Sequence, residues 1–268
     1  MGGAKLYRRW KRRFRAGLLS TQSLLAKCLR RGEPDTIHDL RVTLRRTRML
    51  ALVGTAFLGR AQAAHFRQWS ANLTSALGPV RDLDVVMEWL NLHAPIPVCD
   101  QVLRQDRPRL WTEARSALLN APPLEWRQLQ RGKAGAARPE RLVKKFFKAR
   151  DKLVDSLDET AGGFHGLDEA ALHRFRRQLR RLRYLRELEL GRRAQKGDRR
   201  LAQLIAFQDA LGEMLNCSLV RGLFTSDSRL GSPLKVLRLA RTQERQWLKR
   251  AEKHRSVFRR QIARQHAR

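Results

Sequence analysis

The sequence predicts an all-α protein made of two duplicated halves, and three observations predict it. Apolar residues recur at three-and-four spacing almost throughout, while alternating runs bounded by turn residues are scarce. The stretch Ile37-His38-Asp39-Leu40-Arg41-Val42-Thr43-Leu44-Arg45-Arg46-Thr47-Arg48 returns as Leu172-His173-Arg174-Phe175-Arg176-Arg177-Gln178-Leu179-Arg180-Arg181-Leu182-Arg183, each reading apolar-His-x-x-Arg-x-x-x-Arg-Arg-x-Arg at one constant offset. A second landmark, Ala76-Leu77-Gly78, returns in the same order as Ala210-Leu211-Gly212.

The halves are read as residues 1–132 and 139–268, joined by a Gly- and Ala-rich linker at 133–138. The first helix places Tyr7, Trp10, Phe14, Leu18 and Leu25 on one stripe and Arg8, Arg12 and Arg15 on another, and ends near Gly32 and Pro34. Asp35 or Thr36 is expected to cap the next helix, which buries Ile37, Leu40, Leu44 and Thr47 and stops by Gly59. A third helix uses Phe66, Trp69, Leu73 and Leu77. Gly78-Pro79 breaks it before a fourth that ends at Pro95 and Pro97, because proline cannot continue a helix interior. In that fourth helix Asp82 is a candidate cap and a candidate partner for a motif arginine.

A further helix runs from about Asp100 to Leu119, ahead of Pro122-Pro123. The second half opens with a helix carrying Leu142, Phe146, Ala149, Leu153 and Leu157 beside a basic row of Arg141, Lys145, Lys148 and Lys152. The motif helix follows from about Asp168, then separate helices at 201–211 and 216–224, a polar loop at 225–232, and a long, strongly basic helix opened by Pro233.

Fifty-seven Lys and Arg against 25 Asp and Glu give a net charge of +32, a field that attracts nucleic acid, anionic lipid or inorganic polyanions. The three cysteines, Cys28, Cys99 and Cys217, form no CxxC pair, so neither a disulfide framework nor a zinc site is implied and a reducing cytoplasm is the simplest setting. The longest apolar stretch, 49–59, falls short of the roughly 20 residues that cross a bilayer. The first 32 residues are basic and free of acids, yet have no unbroken apolar core or cleavage pattern, and read as a mature helix rather than a transit peptide.

At about 100° per residue, His38, Arg41, Arg45 and Arg48 fall within roughly 80° of one another, away from the apolar face. His173, Arg176, Arg180 and Arg183 form the same ridge. Like charges one turn apart repel by about 0.2–0.5 kcal/mol per pair, so the pattern opposes folding unless an anion or an acidic neighbour compensates. Guanidinium groups give phosphate two parallel hydrogen bonds, and arginines about 5.4 Å apart match an extended chain of phosphates. The histidines are expected to donate to phosphate oxygens, more strongly when protonated, near pH ~6.5.

These residues resemble the CHAD family, the conserved histidine α-helical domain. The resemblance rests on the two motif stretches, the second running on to Tyr184, on Leu77-Gly78-Pro79-Val80-Arg81-Asp82-Leu83-Asp84-Val85, and on Gln208-Asp209-Ala210-Leu211-Gly212-Glu213. It implies two antiparallel bundles of the four-helix type with pseudo-twofold symmetry, together one domain, and a basic surface channel that binds inorganic polyphosphate. Carried over by position, the contacts would be His38, Arg41, Arg45, Arg46, Arg48, His173, Arg176, Arg180, Arg181 and Arg183. Arg8, Arg12, Arg141, Lys145 and Lys148 are candidate additions from the neighbouring helices. Two departures are visible: Asn216 stands where the first half has Asp82, and no Glu-x-Glu-x-Lys element of a triphosphate tunnel domain is present, so a stand-alone binding domain is expected.

Polyphosphate is thus the expected partner, with phosphate storage and association with polyphosphate granules as the roles the resemblance suggests. Nucleic acid is the alternative, as a nonspecific ligand of a highly basic helical protein. Against specific recognition, aromatics are only 7% and do not interleave with the ridge as stacking would require. Catalysis is not expected, since no GxxxxGK[ST], HExxH or clustered acids are present, and no cofactor or metal is implied.

Overall fold

The three-and-four periodicity is realised as helices throughout. The structure, a computed structural model, describes residues 3–132, 139–231 and 233–266, and among these there are twelve α-helices and no strand. The expected linker at 133–138 lies outside the described residues. The first compact unit comprises residues 1–87 and 101–147, and the second residues 88–100 and 148–268.

In the first unit α1 (Gly3–Arg31) and α4 (Arg60–Ala76) both pack on the motif helix α2 (Pro34–Val53). Trp10, Phe14, Leu18, Ile37, Leu40, Leu44 and Phe66 are almost wholly buried there. Trp10 stacks on Phe14 at 5.3 Å and donates its indole N–H to the Leu50 carbonyl at 2.8 Å.

In the second unit the motif helix α9 (Glu169–Leu190) and α12 (Leu234–His266) pack on α11 (Arg199–Ser226). Phe164, Phe175, Leu179, Phe207, Leu211 and Phe258 share one core with Leu157 of α8 (Pro139–Gly162). Asp168 caps α9 as expected, accepting from the Ala171 N–H at 2.6 Å.

Several boundaries differ from expectation, each for a local reason. α2 begins one residue before the anticipated caps: Glu33 is its N-cap, without a side-chain bond, and Pro34 supplies the preset φ of a first helical position. It also stops at Val53, with a short α3 (Thr55–Leu58) completing the run to Gly59. At the break, a Cβ on Gly54 would stand 1.9 Å from Trp10, so only glycine fits beneath the indole.

The break at Gly78-Pro79 is as expected, between α4 and α5 (Gly78–His93). Asp82, however, lies inside α5 rather than at its start. The corresponding break in the second half is absent, and α11 runs unbroken from Arg199 to Ser226. Glu213 stands there in place of the proline, so the helix keeps the N–H that Pro79 lacks. α6 (Pro97–Leu119) starts at its proline rather than at Asp100. The short α7 (Trp126–Arg131) and α10 (Arg192–Gln195), and two single 3₁₀ turns at Phe164–Gly166 and Ser228–Leu230, lack a full amphipathic period and have no sequence signal of that kind.

Candidate functional site: two arginine-rich motif helices

Each motif is carried by one face of a single helix, with its apolar residues in the core. Ile37, Leu40 and Leu44 are fully buried, as are Phe175 and Leu179, so the cationic positions turn outward or sideways. Among the expected contacts His38, Arg46, His173 and Arg181 are exposed, and Arg41, Arg45, Arg48, Arg176, Arg180 and Arg183 are half-buried.

The first arginine of each motif is fastened to the second landmark of its own half. Arg41 donates from Nη1 to the Thr74 carbonyl at 2.8 Å, and Arg176 donates from Nε to the Gln208 carbonyl at 3.4 Å. Thr74 and Gln208 each lie one turn before the glycine of Ala-Leu-Gly. Only the second glycine is needed for room: a Cβ on Gly212 would lie 2.6 Å from Arg176 Nη2, whereas one on Gly78 would meet Arg41 Nη1 at 3.6 Å, an ordinary contact. The Arg41 bond is the shorter for a physical reason. Thr74 sits in the last turn of α4, whose carbonyls lack helical partners, whereas Gln208 lies within the continuous α11.

Burial pushes both arginines below their ordinary range. For Arg176 the fall, to about 10, comes first from burial and then from Arg180, against the pull of Asp209 and Glu213. Arg41 is lowered by burial, with Asp82 opposing it. Asp82 thus faces a motif arginine electrostatically, as the sequence suggested. In the second unit, where Asn216 replaces that acid, Asp209 and Glu213 supply the negative charge from earlier turns of α11, and Asn216 Nδ2 reaches Glu213 at 3.5 Å.

The outer members differ in how firmly they are held. Arg183 makes a 2.8 Å ion pair with Glu187 along its own helix, both partners largely covered. His173 Nε2 is 3.8 Å from Glu169, whose other oxygen accepts from Ser218 Oγ at 2.6 Å.

Of the flanking residues, Arg8, Arg12, Arg141 and Lys148 are exposed. Arg141 and Lys145 belong to the first compact unit and Lys148 to the second. Lys145 is half-buried, and burial followed by Arg67 and Arg60 lowers its ammonium pKa. Arg60 and Arg67 were not anticipated. The helix bearing them, α4, is conspicuous in sequence for its Phe66 and Trp69 stripe, and two cations seven residues apart give little signal until the fold sets them beside Lys145.

The other acid of the first-half element has a structural duty. Asp84 is 3% exposed and paired with Arg107 of α6 at 2.7 Å, and Arg107 also donates to the Gly32 carbonyl at 2.8 Å. Among the described residues no cluster of His, Cys, Asp or Glu is arranged to hold a metal ion, and no helix is long and apolar enough to cross a membrane. Cavities of about 490 and 330 Å³ occur in the second unit, but neither is lined by a motif cation. A ridge that meets an extended polyanion is an open surface and needs no enclosed volume.

Comparison with known proteins agrees with this architecture. No curated protein matches the sequence. Two solved structures share the fold over nearly their whole length. The CHAD domain from the plant Ricinus communis is 17% identical, with a TM-score of 0.62 over 96% of this chain and 91% of that one. PptA from Streptomyces chartreusis is 19% identical, with a TM-score of 0.59 over 98% and 99%. The profile of the CHAD domain matches residues 5–225, a span that takes in both His/Arg helices and both Ala-Leu-Gly landmarks, and the chain therefore belongs to the CHAD domain family.

Proposed function

We propose that this protein is a non-catalytic binder of inorganic polyphosphate, which it engages through the cationic faces of α2 and α9. The observation that carries this reading is the shared anchoring of the two motifs. In both, the first arginine donates to a backbone carbonyl one turn before the glycine of Ala-Leu-Gly, which orients the helix and presents the rest of the ridge, Arg45 and Arg46 or Arg180 and Arg181, toward an anion. A linear chain of phosphates offers about one charge per unit and no bases, which suits closely spaced guanidinium groups without a stacking platform. Lys145, Arg60 and Arg67 repel one another, and a bound polyanion would relieve that repulsion. In cells such binding would place the protein on polyphosphate granules and serve phosphate storage.

The test is affinity for long-chain polyphosphate at near-physiological salt, with duplex DNA and pyrophosphate as competitors. Wild type is expected to resist both, and a folded Arg45→Ala/Arg180→Ala variant to lose at least tenfold. Equal competition by DNA, with loss only in proportion to charge, would instead identify a nonspecific nucleic-acid surface. Polyphosphate recovered at full length after prolonged incubation with Mg²⁺ is the result expected of a binder; steady release of orthophosphate would identify a hydrolase.

A further inference from the structure

α12 concentrates its charge in a way neither motif does. On a wheel of about 100° per residue, Arg238, Arg241, Arg245, Lys249, Lys253 and Arg260 fall within an arc of roughly 120°, and all six are exposed. Val236, Ala240, Ala251, Phe258 and Ile262 on the opposite side are buried. The helix has two acids: Glu244 lies outside this arc and pairs with Arg221 at 2.8 Å, and Glu252, the one acid within it, is engaged by His165 at 3.1 Å. At 1.5 Å per residue the stripe extends about 33 Å, with close to one cation per turn. Neighbouring like charges repel one another, a cost an anion would reverse. The helix lies beyond residue 225, where the family match ends.

We infer that the solvent face of α12 is a second docking track for inorganic polyphosphate, separate in sequence from the motif ridge; the inference rests on the polyphosphate reading above. Two features favour this ligand over nucleic acid. A straight row of cations meets the curved backbone of a duplex over only a short stretch, whereas a flexible file of phosphates can follow all of it. Single strands gain affinity by stacking on aromatic rings, and the aromatics of α12 offer none on this face: Phe258 is buried, and Trp247 is half-buried with the Arg250 guanidinium 4.3 Å from its ring. A chain long enough to touch both ridge and stripe would gain by effective concentration, and a short one would not.

The experiment compares three full-length proteins with wild type, using short- and long-chain polyphosphate and duplex DNA. Arg238→Glu/Arg245→Glu/Lys249→Glu removes the stripe, with the Gln triple variant as substitute if that protein does not fold. Lys27→Glu/Arg30→Glu/Arg127→Glu makes the same change in net charge elsewhere. Arg45→Ala/Arg180→Ala removes the ridge. The stripe variant is expected to bind short chains nearly as wild type, to lose at least tenfold on long chains, and to show a salt slope shallower by about three. Equal long-chain affinity in stripe and control variants overturns the inference. So does a stripe variant that keeps long-chain polyphosphate and loses only DNA, which would mark a nucleic-acid face. If the ridge variant alone binds short chains undiminished, it is the ridge reading that fails, and the stripe stands on its own result.

Discussion

Arg41 and Arg176 have lost part of their hydration to reach backbone carbonyls, whereas Arg46 and Arg181 are exposed. This separates two effects of mutation. Replacing Arg41 or Arg176 by Ala is expected to lower stability by about 1.5–3 kcal/mol, the range for hydrogen bonds to charged groups, as read by chemical denaturation. Arg46→Ala or Arg181→Ala, at exposed positions, is expected to change stability by no more than about 0.5 kcal/mol and to lower ligand affinity. Lys145 yields a pH dependence. Burial and its two arginine neighbours lower its pKa, so a bound anion, which favours the charged form, must draw in a proton once the free ammonium has begun to titrate. Polyphosphate affinity should therefore decline as pH rises through that lowered pKa, and the decline should vanish in Lys145→Arg.

At the level of elements, the end of α1, α5 and α6 are fastened by one small assembly. Asp84 and Arg107 form its ion pair and Arg107 holds the Gly32 carbonyl. Gly32 has a φ of +62°, and a Cβ there would also strike Trp111 at 2.3 Å. Arg107→Ala strands a carboxylate that is almost wholly buried, so a loss of about 3–5 kcal/mol is expected. Arg107→Met with Asp84→Leu should recover much of it, measured as a shift in the denaturation midpoint. Little of this was legible in sequence, because neither residue lies in a periodic pattern and the two are joined only by tertiary folding. The long amphipathic helices were legible, since Trp10, Phe14, Ile37 and Leu44 repeat at the helical period and prolines or an Asp cap mark their ends. The division of 201–224 into two helices fails for a related reason: Gly212 matches Gly78 in the pattern, but no proline follows it to break the helix. The ridge was readable as a pattern, but its attachment to Ala-Leu-Gly was not, because that contact spans residues remote in sequence.

Across the whole molecule a net charge of +32 favours expansion of the chain, and any polyanion that prefers the folded state weakens that self-repulsion. Binding of that kind stabilises by mass action, about 2.7 kcal/mol at a hundredfold excess over Kd. Thermal melts should accordingly shift upward with added long-chain polyphosphate, and the shift should shrink as salt is raised. Equal shifts with chloride of matched ionic strength would argue that screening, rather than binding, is responsible.

Pro79 divides α4 from α5, and Glu213 leaves α11 whole, so the two anchoring arginines rest on supports of unequal stiffness. The first grips the frayed end of a joint, the second the flank of an unbroken rod. Amide hydrogens around Thr74 to Asp82 should then exchange faster than those around Gln208 to Asn216, and ligand should slow the former more. One cationic pattern would in this way be mounted twice, once on a support with give and once on a support without it.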